Sequence, residues 1–144
     1  MIAVDTNILI YADREEMPLH GLALDALRRL AEGPEAWGLP VFCIGEFLRV
    51  ISHHCVFDPP TPVLEAMASL ESLLRSPSAR LLSPNEQYLP LLRRVLSESA
   101  AAGNLVFDAQ IVALCLEHGA TTLLTEDRDF HRFPGVTALP LAEF

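Results

Sequence analysis

The chain predicts an α/β domain around a parallel or mostly parallel sheet with helices packed against it. Three observations lead there. Short apolar runs of strand length (Met1 to Val4, Trp37 to Leu39, Arg80 to Leu82, Thr121 to Leu124 and Val136 to Leu139) alternate with stretches of helical periodicity. The strongest break, Asp58-Pro59-Pro60-Thr61-Pro62, divides the chain into pieces too small to bury separate cores, so it reads as a rigid loop inside one domain spanning 1–144. Aspartates follow the first and fourth runs closely, and ligands collect at the carboxyl ends of such strands.

The elements follow in order. Met1 to Val4 closes on Asp5-Thr6-Asn7, and Ile8 to Tyr11 can turn into helix. From Pro18, Leu19, Leu22, Ala23, Ala26, Leu27 and Leu30 recur at helical spacing until Gly33-Pro34. After the strand at Trp37, Pro40 fits the first turn of a helix carrying Glu46. Thr61 is a candidate cap for a helix through Val63, Leu64, Met67, Leu70 and Leu74, and Asn85 for one through Tyr88, Leu91, Leu92 and Val95. A last long helix, from about Leu105 to His118, stops at Gly119.

Composition narrows the function classes. Hydrophobic residues make up 51% of the 144 and the mean hydropathy is +0.30, yet no apolar run reaches the roughly 18–20 residues of a membrane span. The N-terminus lacks a basic stretch before an apolar one, so a secretory signal is not expected and the cytoplasm is the default location. Cys43, Cys55 and Cys115 form no Cys-x-x-Cys pair and no Cys/His cluster at zinc spacing, and read as buried, reduced thiols. The pair His53-His54 reads as a solvated helix end. A net charge of −9 argues against non-specific attraction to nucleic acid. All ten positive charges are arginine, with local clusters at Arg28-Arg29 and Arg93-Arg94; arginine suits bidentate phosphate contacts, but genome-wide codon bias accounts for the missing lysine as well.

Four acids stand out against this apolar background. Asp5 ends the first strand; Glu46 lies within Val41-Phe42-Cys43-Ile44-Gly45-Glu46-Phe47-Leu48; Asp108 shares a helical face with Ile111, Val112 and Cys115; Asp127 follows the fourth strand. Their apolar flanks predict partial burial, and a buried carboxylate needs a partner or a cation. Each also has a structural reading. Asp5 fits a helix cap, Glu46 a pair with Arg49, Asp108 a first-turn dipole acid, and Asp127 with Asp129 an ordinary turn. Together they fit one divalent-cation site better than four separate accidents. Other acid-rich α/β chemistries lack support. Asn7 stands where a haloacid-dehalogenase-type phosphatase has its second aspartate, a receiver domain needs a lysine the chain does not have, and no dinucleotide or Walker glycine loop is present.

The ordered set (Val4-Asp5-Thr6-Asn7, the inner Glu46, Asp108 on a late helix, and Leu124-Thr125-Glu126-Asp127-Arg128-Asp129-Phe130) resembles the PIN-domain ribonucleases, and among them the VapC toxins of bacterial toxin–antitoxin pairs. The resemblance extends through Phe133-Pro134-Gly135-Val136 and implies a PIN-like three-layer sandwich. It places the family's acids on Asp5, Glu46, Asp108 and Asp127, with Asp129 the alternative fourth acid, and its polar neighbours on Thr6, Asn7 and Thr125. It implies Mg²⁺- or Mn²⁺-dependent endoribonuclease activity, with Asp5 and Asp108 as direct ligands and Glu46 and Asp127 completing the shell through water or holding a second ion. It also implies a homodimer and a cognate antitoxin that inserts a basic side chain among the acids. The other classes carried forward are a non-catalytic module with an acidic pocket, and a metal-dependent phosphatase or DNA nuclease.

Overall fold

The computed structural model describes all 144 residues. Five short strands, β1 (Ile2–Val4), β2 (Trp37–Pro40), β3 (Ala79–Leu82), β4 (Thr122–Leu124) and β5 (Thr137–Leu139), form one sheet in the order β3-β2-β1-β4-β5. Every pairing is parallel, so the sheet is wholly rather than mostly parallel. The six helices flanking it are α1 (Thr6–Asp13), α2 (His20–Glu32), α3 (Val41–Ile51), α4 (Val63–Leu74), α5 (Tyr88–Ser99) and α6 (Leu105–Glu117).

Helices on its faces bury a parallel sheet from both sides, which is why the inner strands β1, β2 and β4 are largely apolar and buried, while the edge strands β3 and β5 keep exposed positions such as Arg80 and Thr137. Ala3, Val4, Trp37, Leu39, Leu123 and Leu124 are all fully buried in one continuous core. Gly38 in β2 leaves room for the Leu82 side chain of the neighbouring β3: a Cβ there would stand 2.7 Å from it. α6 ends at Gly119, whose φ of +71° strains any other residue.

Two expected caps do not form. The Thr61 hydroxyl donates to Asp13 Oδ2 at 2.7 Å and accepts from Arg14 at 3.2 Å, tying the proline-rich loop to α1, while Pro62 stands at the start of α4. Asn85 does not cap α5. The Glu117 carboxylate at the end of α6 instead accepts the backbone N–H groups of Asn85 and Gln87, each at 2.9 Å, so a tertiary acceptor does the work of a local one. The cysteines also divide. Cys43 and Cys115 are buried, but Cys55 is exposed in the turn after α3, its Sγ 3.4 Å from His54 Nε2. No helix is long and apolar enough to cross a membrane.

Candidate metal centre

β1 and β4 lie side by side, with Val4 opposite Leu124. From this seam the sheet grows outward in both directions, through β2 and β3 on one side and β5 on the other. Loops leaving the two central strands therefore diverge and open a crevice at their carboxyl ends, the topological switch point of an open α/β sheet. Asp5-Thr6-Asn7 enters it from β1, and Thr125-Glu126-Asp127 from β4.

Asp5 anchors the floor. It is 5% exposed, and its backbone N–H donates to Leu124 O at 3.1 Å. Oδ1 accepts the Thr6 backbone N–H at 2.7 Å, which makes Asp5 the N-cap of α1. Oδ2 accepts the Thr125 hydroxyl at 2.7 Å and the Asn7 amide at 2.8 Å. Thr125 Oγ1 also accepts the Asn7 amide at 3.1 Å and the Asp127 backbone N–H at 3.0 Å, so one buried hydroxyl positions both loops. On the other side, the Thr6 hydroxyl donates to Glu46 Oε2 at 2.8 Å. Glu46 forms no ion pair with Arg49; the chain's ion pairs are Arg14–Glu16 and Arg94–Glu98.

The acids converge unequally. Carboxylate oxygens of Asp108, Asp127 and Asp129 all lie within 4.8 Å of one another. These three and Glu46 line a single cavity of about 370 Å³, with Asp5 buried outside its wall. Burial is graded as well: Asp108 is half-buried, but Glu46 and Asp127 are exposed at the rim, contrary to the partial burial their flanks predict. In both cases apolar neighbours in sequence point the other way round the turn or helix. Asp129, left as an alternative by the sequence, belongs to the converging trio. Asp127 Oδ1 accepts its N–H at 2.8 Å at the start of a 3-10 turn, Arg128–Arg132, and this folds Asp-x-Asp onto itself.

Electrostatics follow from this crowding. Asp5 is pushed up to about 7, chiefly by burial and then by the charges of Glu46 and Asp108, with the bonds from Thr125 and Thr6 opposing. Asp108 is pushed up to about 6 by burial and by Asp127, Asp129 and Glu46, with only Arg132 opposing. Burial likewise raises the thiol of Cys43, and that of Cys115 to about 12, so both stay neutral and offer no nucleophile. Hard oxygen donors packed against their own repulsion are what Mg²⁺ or Mn²⁺ requires, and the donor set fits such an ion.

Other expected groups lie elsewhere. Arg29 covers the Phe144 ring at 4.5 Å and Arg94 lies 3.7 Å from Glu98; the arginine lining the acidic cavity is Arg49. His53, His54 and Cys55 bring their ligating atoms within 4.8 Å of one another on the surface, an arrangement that a search for spaced zinc ligands passes over because the residues are consecutive.

The PIN domain family model matches residues 2–136. The chain belongs to the PIN-domain family. Among its PIN relatives, VapC43 ribonuclease of Mycobacterium tuberculosis is 38% identical over 133 residues, covering 92% of this chain and 90% of the relative. VapC25 ribonuclease of the same organism is 32% identical over 136 residues, covering 94% and 95%. The fold is that of VapBC2 from Rickettsia felis, solved bound to a promoter DNA fragment (TM-score 0.69, 17% identity, 97% and 98% of the chains covered). It is equally that of M. tuberculosis VapC20, described as a sarcin–ricin-loop-cleaving toxin (TM-score 0.66, 19% identity, 95% and 99% covered). The parallel sheet and its flanking helices thus make the three-layer PIN-like sandwich that the resemblance implies.

Proposed function

We propose that this PIN-domain chain is a single-domain, Mg²⁺- or Mn²⁺-dependent endoribonuclease and the toxin of a type II toxin–antitoxin pair. The observation that carries the reading is the convergence of Asp108, Asp127 and Asp129 within 4.8 Å, set over the buried Asp5 at the switch point. Names of the relatives, all VapC ribonucleases, support RNA as the substrate.

Asp5 and Asp108 are the proposed direct ligands, with Glu46, Asp127 and Asp129 filling the remaining shell or holding a second ion. A bound divalent cation there lowers the pKa of water and offsets charge on a phosphodiester. The protein's own contribution is positional. Thr125 and Asn7 hold Asp5 Oδ2 in place, Thr6 orients Glu46, and the Asp127 N–H bond to Thr125 sets the β4 loop against the β1 loop. Without metal Asp5, at about 7, is partly protonated near neutral pH and Asp108, at about 6, takes up its proton just below it, so cation uptake on the acid side of neutrality releases protons and strengthens as pH rises.

The partner is a co-encoded antitoxin that sets an arginine or another basic side chain among the acids, where a desolvated pair would compete with the cation. The exposed Leu64 and Leu89, at 79% and 71%, give the chain apolar surface for that partner or for a homodimer. The test is cleavage of single-stranded RNA, single-stranded DNA and a small phosphate ester, with Mn²⁺, with EDTA and after Mn²⁺ is restored. RNA-selective, EDTA-sensitive cleavage is expected. Preference for DNA or the ester would replace the assigned substrate, and no cleavage would leave a non-catalytic acidic module.

A further inference from the structure

α3 and α6 face each other beside the acidic site, and a second cavity of about 320 Å³ opens between them. Its α3 wall is Phe42, Gly45, Glu46 and Arg49, one helical face by spacing; its α6 wall is Phe107, Gln110 and Ile111. Glu46, Arg49 and Phe107 line both this cavity and the acidic one, so the two adjoin across these side chains.

Three features here are not accounted for by packing within the chain. Phe107 is 64% exposed one residue before Asp108, which leaves an aromatic face open at the mouth of a polar site. Arg49 is exposed and has no carboxylate partner, although Glu46 is three residues away. Gly45 lies in the middle of α3, where glycine costs about 1 kcal/mol relative to alanine. Packing does not require it, because a Cβ built there meets nothing within 4 Å. Its missing side chain leaves the cavity open.

We propose that this pocket receives one nucleobase of a single-stranded RNA substrate, next to the phosphate held at the acids. The base stacks on Phe107 and sits over Gly45, Gln110 meets its hydrogen-bonding edge, and Arg49 takes the adjoining phosphate. Aromatic stacking, an amide read against a base edge and a guanidinium on phosphate are how single strands are bound. In a chain of net charge −9, an unpaired arginine at the rim is the feature that favours a polyanion over an apolar partner. Phe107 and Gly45 are thus determinants of cleavage preference. The inference rests on the ribonuclease reading above.

The experiment sequences the cleavage ends of a randomised single-stranded RNA cut in Mn²⁺ by the parent, Phe107→Ala, Phe107→Trp and Gly45→Leu, with KM and kcat on one cleaved oligomer. Mn²⁺ affinity, thermal stability and light scattering are measured alongside. The parent should prefer particular bases at one position beside the cut. Phe107→Ala and Gly45→Leu should flatten that position alone and raise KM roughly tenfold, as loss of a stacked base does, with kcat and Mn²⁺ affinity near the parent's. Phe107→Trp should restore the preference. Parental profiles and KM in both Phe107→Ala and Gly45→Leu would overturn the pocket while leaving the nuclease reading intact. A dimer that falls apart in these variants with an unchanged cleavage profile would assign the face to a second copy of the chain, which also overturns it. A parent that cuts no RNA would remove the ribonuclease reading and this inference together.

Discussion

Thr125 Oγ1 donates to Asp5 Oδ2 at 2.7 Å, joining residues 120 positions apart across the β1–β4 seam. The same oxygen accepts the Asp127 backbone N–H, so this buried hydroxyl links the deepest acid of the site to the exposed Asp127 of the β4 loop.

Thr125→Val keeps the shape and removes all three bonds of the hydroxyl, those to Asp5, Asn7 and the Asp127 N–H. Leaving Asp5 Oδ2 and the Asp127 N–H short of a partner should destabilise the protein by roughly 1–3 kcal/mol. Activity should fall at least tenfold, because two acids lose their positions. Chemical denaturation and RNA cleavage check this; wild-type values in both would show that the bond is idle.

Asp5→Asn and Asp108→Asn should each abolish RNA cleavage while preserving the fold. In the absence of metal, thermal stability at pH 8 should be unchanged or higher in both, since each removes a desolvated charge and its repulsion from neighbouring acids. Circular dichroism melts in EDTA, paired with activity in Mn²⁺, test the two halves separately. Full cleavage by either variant would reject its assignment as a ligand.

Metal-free stability should fall as pH rises. Asp5 and Asp108 have folded-state values near 7 and 6, above the usual carboxylate value of 3.8, so between about pH 4 and 7 the folded state binds more protons than the unfolded one. Stability is then greatest at the acid side of that window and declines through it, by an amount on the order of a few kcal/mol, dominated by the buried Asp5. Added Mn²⁺ should flatten or reverse the slope. Urea midpoints at pH 5, 6, 7 and 8 with and without Mn²⁺ measure it, and a metal-free midpoint rising across the series would contradict the proton linkage.

Asp127 and Asp129 should not be equivalent. Asp127 is held by its N–H bond to Thr125 and by its own side chain on Asp129 N, whereas Asp129 is bound only through its backbone. A fixed ligand contributes more than a mobile one, so Asp127→Asn should lower kcat/KM at least tenfold further than Asp129→Asn. Equal losses would make them interchangeable members of the shell.

Glu46→Gln should abolish turnover, whereas Arg49→Ala should leave Mn²⁺ affinity nearly intact, because the partner of Glu46 is Thr6 and not Arg49. Titration calorimetry with Mn²⁺ and single-turnover cleavage separate the two. Similar, small effects of both substitutions would return Glu46 to a surface role.

The α/β class and the order of the strands and helices were legible in the sequence alone. Those features are local: strand-length apolar runs, helical periodicity, the Gly119 stop and an aspartate directly after β1 depend on near neighbours. What only the tertiary structure decided depends on residues far apart. The all-parallel order β3-β2-β1-β4-β5 places Asp5 beside Thr125, and no periodicity encodes that neighbour. Glu117 replaces Asn85 as the acceptor at the start of α5 from 30 residues away, as Thr61 is drawn from capping α4 to Asp13. Which side a side chain faces at a helix end or turn was also hidden, so Glu46, Asp127 and Asp129 all emerge exposed while the last two meet beside the half-buried Asp108. Side-chain chemistry is written residue by residue, but a site is a set of distances, and those are set by how the β1 and β4 loops diverge from a shared seam.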